Sequence, residues 1–234
     1  MTQPAAPAEA RPIATLPAAP LAAGRARLAG EFALLFLGAP LALAFLLPAS
    51  AIWWAIPGGF LAALALLATT PGFRWGELVE GPWLARPGLT LAFAAAVLAG
   101  AAALVWATAP WALFGLPLRR TELWLSVMLL YPLLSAWPQE VMFRALFFRR
   151  YGALFPDPRL AVAVNAAVFG LAHLFLWNAV AVAASAVGGA LFALAYLRTG
   201  RGRNLGLATL LHALAGMALF TAGAGAFFYH GAIP

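Results

Sequence analysis

The chain contains no cysteine and no lysine, and it is poor in charge of either sign: 9% of its 234 residues are charged. Without cysteine there is no disulfide framework and no thiolate metal site, and redox chemistry says nothing about compartment. Soluble domains carry about 25% charged residues. With 65% hydrophobic residues, a soluble fold of this size would lack the polar surface to cover its apolar side chains. A bilayer removes that problem. The net charge of +7 does not indicate nucleic acid. Every basic residue is an arginine, none stands in a run longer than two, and all lie between apolar stretches, where topology signals belong. The lack of lysine beside abundant alanine, glycine and proline reads as bacterial-type base composition rather than chemistry.

What is present is a series of long apolar runs. Residues 1–30 are rich in Ala and Pro and lack a core-forming pattern, so a disordered tail is expected there. Ala49-Ser50-Ala51 after an apolar run also has the form of a signal-peptide cleavage site, but the leader before it is long and the next apolar run begins at once. Seven apolar stretches follow the tail, at Phe32–Leu47, Ile52–Ala68, Leu89–Ala107, Leu123–Trp137, Leu160–Leu176, Ala179–Leu197 and Leu205–Phe228. Several approach the ~20 residues that cross ~30 Å of hydrocarbon. They lack the alternation of barrel strands, and their backbone groups must pair within the segment. The expected fold is all-α, a polytopic membrane bundle of about seven helices, as one domain over residues 31–234.

The arginines suggest an orientation. Arg25 and Arg27, Arg74 and Arg86, Arg149, Arg150 and Arg159, and Arg198, Arg201 and Arg203 all fall on one side of such a bundle. A cytoplasmic N-terminus in a bacterial inner membrane would satisfy the positive-inside rule. Arg119 and Arg120 fall on the other side, and Pro110 to Leu118 before them would be interfacial.

Ionisable groups within membrane segments are costly and point to function by default. Few occur here: Glu140 and Arg144 at the end of the fourth stretch, His173 in the fifth and His212 in the seventh. At ~1.5 Å per residue, Glu140 lies about 15 Å from its helix end if the fourth helix continues to Arg150; His173 and His212 lie about 21 and 12 Å from theirs. Three groups on three helices thus reach similar depths. Glu140 and Arg144, spaced i,i+4, share a face and can pair. His230, beside Tyr229, is expected at the interface.

At these residues the sequence resembles the CAAX-protease and bacteriocin-processing (Abi) family of intramembrane peptidases, over residues 122 to 229. That family shows two adjacent Glu followed by three residues and Arg; here the run is Gln139-Glu140-Val141-Met142-Phe143-Arg144. Its second motif, Phe then His four residues on, is matched by Phe169-Gly170-Leu171-Ala172-His173. Its third, His then a polar residue four on, reads His212-Ala213-Leu214-Ala215-Gly216. Gln139 replaces the family's first Glu, and Gly216 its third-motif polar residue.

The resemblance implies cleavage of a peptide or membrane-protein substrate at or within the bilayer by activated water. It implies Glu140 or His173 as base, Gln139 orienting water, Arg144 beside Glu140, and His212 donating to the oxyanion. Prenylated substrates, a eukaryotic specialisation, are not expected. No cofactor is required, although Glu140, His173 and His212 form a donor set that also suits catalytic zinc. The two replaced positions leave open a catalytically degenerate member that binds a peptide or partner. A transporter is the remaining class; it would carry mirrored broken helices, which are not seen.

Overall fold

Long apolar runs can satisfy their backbone groups only by coiling, and among the described residues every regular element is helical. The computed structural model describes residues 24–84, 86–197 and 203–228. Helix α1 spans Arg25–Phe45, α2 Ile52–Ala68 and α3 Pro87–Thr108. The short α4, Gly115–Arg119, precedes α5, a continuous helical run over residues 121–151. Then come α6, Pro158–Leu171, α7, Ala179–Leu197, and α8, Leu205–Ala222. The seven long helices correspond to the seven apolar stretches. Five runs are long and apolar enough to cross a membrane: α1, α3, α6 with the turn that follows it, α7 and α8. Helix α2 is shorter, and α5 carries the charged residues of the site.

The first helix begins at Arg25, inside the tail expected from composition. Arg27 pairs with Glu31 one turn on at 3.0 Å, and the Arg25 guanidinium donates to the Leu154 carbonyl at 3.3 Å. Local charge and a tertiary contact extend the helix where hydrophobic pattern alone would not.

Prolines shape α1 and α5. Proline offers no N–H to the carbonyl four residues back. In α1, Pro40 follows a widened π-type turn at Leu34–Gly38. In α5, Pro132 opens one π-type segment, Pro132–Ala136, and Pro138 lies just before a second, Val141–Tyr151. The backbone stays helical throughout. Wide turns of this kind occur often at functional sites.

The helix ends are fixed by side chains. Asp157 caps α6 by accepting from the Arg159 amide at 2.9 Å, with Pro158 in the first turn. Asn204 caps α8 by accepting from Leu207 at 2.8 Å, while its amide donates to the Pro82 carbonyl at 3.0 Å. Gly223, at φ +97°, closes α8 in the left-handed conformation that glycine tolerates.

The arginines do gather at one end. Glu77 lies 3.5 Å from Arg149 and 3.8 Å from Arg203; Glu31 lies 2.8 Å from Arg150; Arg74 pairs with Glu80 at 3.0 Å. Arg198 and Arg201 lie outside the described residues. At the opposite end, Arg119 donates to the Trp111 carbonyl, and the Phe114 amide meets the Ala222 carbonyl at 3.2 Å. Trp53, Trp54, Trp106, Trp111 and Trp177 are exposed toward that end, Trp75 and Trp83 toward the arginine end. Two aromatic girdles enclosing exposed leucines are what a membrane-spanning surface presents.

Candidate active site

Helices α5, α6, α7 and α8 meet around a polar centre in an otherwise apolar bundle. Small residues bring them close. A methyl added at Gly170 of α6 would come within 3.0 Å of the Ala186 side chain on α7, and one at Gly189 within 3.1 Å of Phe169. These approaches are the close packing that small residues permit, and they set Phe169 and Phe192 against the polar groups.

Glu140, on α5, has no accessible surface. Its carboxylate is held from both sides. Arg144, one turn on, approaches Oε2 at 3.2 Å, with both side chains fully enclosed. His212, on α8, lies with Nδ1 2.9 Å from Oε1. The i,i+4 pairing expected of Glu140 and Arg144 is therefore present; the His212 contact adds a second helix to it. With Arg144 on its other oxygen, Glu140 accepts, and the imidazole donates through Nδ1–H. The Arg144 guanidinium also donates to the Gly189 carbonyl at 3.4 Å and stacks over the Phe169 ring, 4.6 Å from its centroid. Cation–π contact offsets part of the cost of burying that charge.

His173 also packs against Phe169. The Phe169 ring lies 4.9 Å from the His173 ring and 5.5 Å from the His212 ring. The His173 Nδ1 sits 2.8 Å from the Phe169 carbonyl, which can only accept, so the ring donates there and presents Nε2 as an acceptor. His212 is further fixed by stacking on Phe192, centroids 4.9 Å apart and planes within 11°. His173 and His212 thus share one aromatic wall, and Glu140, Arg144 and His212 touch.

Gln139 turns along its own helix. Its amide donates to the Ser135 hydroxyl at 2.8 Å, and Ser135 interacts in turn with the Tyr131 hydroxyl. Tyr131, Ser135 and Gln139 form a half-buried strip at i, i+4 and i+8. Neither Tyr131 nor Ser135 was singled out from sequence, although their spacing from Gln139 carries the signal. His230 lies outside the described residues.

Among the described residues, no three of the His, Asp and Glu side chains cluster closely enough to hold a metal ion. Oε1 of Glu140 is taken by His212 and Oε2 faces Arg144, a cation that repels a metal at the same place. The residues present do not fit a zinc centre.

Residues 121–218 match the family model described as type II CAAX prenyl endopeptidase Rce1-like. This segment of the chain is similar to that family. No curated protein and no solved structure matched. The Rce1-like segment runs from the start of α5 into α8 and contains all three motifs seen in the sequence. With the apolar helices around it, the chain is an integral membrane protein, part of which is similar to a membrane-protease family.

Proposed function

We propose that this protein is an intramembrane endopeptidase that hydrolyses a peptide bond of a substrate at or within the bilayer. The observation that carries the reading is the enclosed Arg144–Glu140–His212 chain beside His173, inside the Rce1-like segment. Buried ion pairs are poor stabilisers, so a membrane helix bundle gains little from this one unless it orients something. What it orients is His212, fixed in tautomer and ring plane.

His173 is the base. Its Nε2 takes a proton from water while the water oxygen attacks the carbonyl carbon and the C=O electron pair moves onto oxygen. Collapse breaks the C–N bond, and the leaving nitrogen takes the proton from His173. The free N–H of Gln139 orients the water. Glu140 and Arg144 work through His212 as positioning residues, because neither has surface with which to touch substrate. The family description names prenyl endopeptidases; the exposed apolar groove lined by Leu174, Trp177, Val182 and Ala186 favours an apolar peptide segment as substrate, with or without such a lipid.

The test is cleavage of membrane peptides by the full-length protein in proteoliposomes, read by mass spectrometry. His173→Ala is expected to lower the rate about 10²-fold or more, the usual contribution of a positioned base, and Glu140→Gln to do likewise through His212. Cleavage unaffected by both substitutions would overturn the reading. One observation favours a second: Gln139, committed to Ser135, cannot serve as a base, as a peptide-binding protein would tolerate. Cleavage appearing only in Gln139→Glu would decide for it.

A further inference from the structure

The two imidazoles of the centre spend their donors on fixed partners, and the Arg144 N–H groups that lack a hydrogen-bond partner belong to a side chain with no accessible surface. His173 commits its Nδ1–H to the Phe169 carbonyl, and His212 its Nδ1–H to Glu140. Each neutral ring is then left with an acceptor at Nε2. Arg144 is enclosed behind Glu140 and turned toward the Gly189 carbonyl. One N–H of Gln139 is engaged by Ser135, and the other serves the water. Hydrolysis of a peptide bond, however, builds negative charge on the carbonyl oxygen, and a donor already aimed there contributes ~10²–10³ in rate.

Tyr131 brings a hydroxyl to this place. Its ring stands edge-on to His212, centroids 6.1 Å apart, and is braced on the other side by Phe220 at 5.7 Å. Tyr131 enters because residue 216, one turn beyond His212 on α8, is glycine. A Cβ built on Gly216 would fall into the Tyr131 ring and against its hydroxyl oxygen. Any larger residue there displaces the phenol from the level of His212. Tyr131 keeps some accessible surface, whereas Glu140 and Arg144 have none.

We propose that Tyr131 is a catalytic residue of the endopeptidase reaction, its O–H donating to the developing oxyanion in the space that Gly216 leaves open. This rests on the peptidase reading and deepens it: hydrogen-bonding work that helix α8 does not supply comes from α5.

The experiment uses the full-length protein in proteoliposomes with a library of synthetic single-span peptides, then kcat and KM on the best-cleaved peptide. Parent, Glu140→Gln, Tyr131→Phe and Gly216→Ala are compared, with melting temperature measured alongside. Tyr131→Phe keeps the ring and its packing, so it isolates the hydroxyl. The expected result is a fall in kcat of about 10²-fold, KM within about twofold of the parent, and an unchanged melting temperature. Gly216→Ala, which pushes the ring away, is expected to lose kcat to the same order. If the parent cleaves nothing, or His173→Ala and Glu140→Gln run beside it both cleave as well as the parent, the peptidase reading falls and this proposal with it. If either of those variants is silent but Tyr131→Phe keeps the parental kcat, or alters only KM, the peptidase reading stands and the tyrosine assignment is overturned.

Discussion

Arg144 is fully enclosed, and so is the carboxylate it faces. That arrangement survives only as a set. Removing one member leaves an uncompensated charge among Phe169, Phe192 and the α5 backbone, and breaking a buried pair in this way costs about 3–5 kcal/mol. Arg144→Ala is therefore expected to destabilise the protein by that order, measured as loss of melting temperature or denaturant resistance in detergent. His212→Ala removes a neutral hydrogen-bond partner and should cost less, on the order of 1–3 kcal/mol. Equal, small effects of both would mean that the cluster is looser than the distances suggest. The Glu140–Arg144 pairing was legible in the sequence, since i,i+4 neighbours share a face whatever the tertiary structure. The His212 contact was legible only as similar depth. The assignment of His212 as oxyanion donor came with the family resemblance, and the geometry engages its Nδ1–H elsewhere. The i, i+4, i+8 spacing puts Tyr131 on the face of Gln139, but its closeness to His212 was not legible, because that depends on a missing side chain at Gly216 on another helix.

At the scale of elements, α5 decides where the site stands. Two π-type segments and two prolines in one helix let the chain turn Glu140 inward while the Tyr131–Ser135–Gln139 strip stays half-exposed. A hydropathy scan places the apolar half of this helix correctly but stops at Trp137. The charged continuation to Tyr151 is helical because Phe143, Phe147 and Phe148 pack into the core around it. Composition could not settle that, since burial of the run depends on the aromatic residues Phe32 and Phe36 of α1 that receive it. The α6–α7 contact rests on glycine, which in apolar helices permits close approach. Gly170→Leu is expected to force these helices apart, since even a methyl meets Ala186 at 3.0 Å and the Val182 carbonyl at 3.1 Å. The cost should be about 1–3 kcal/mol, read in the same detergent unfolding assay. Because Phe169 is carried on α6, the shift would also loosen the wall shared by His173 and His212, so cleavage should fall with stability. Gly188→Ala is the control. It faces only the ring of Phe192 on its own helix, at 3.2 Å, and should be milder.

The whole molecule is polarised. Arg25, Arg27, Arg74, Arg149, Arg150 and Arg203 gather at one end with Glu31, Glu77 and Glu80, while Arg119 and Arg120 stand at the other. Seven long helices carry the described chain from the arginine-rich end to the opposite one. Arginine-rich loops are retained on the cytoplasmic side, so α1 should begin there and α8 end on the far side. The absence of cysteine makes this simple to check. Glu80→Cys at the arginine-rich end and Leu118→Cys at the other are both exposed positions. In intact cells a membrane-impermeant maleimide should label Leu118→Cys and leave Glu80→Cys unlabelled until the membrane is opened. The reverse pattern would invert the molecule. It would also move the consequences for the site: Glu140 and His212 lie in the half of the bundle nearer the arginines, so the inverted protein would cut its substrates toward the outer face of the membrane rather than the inner.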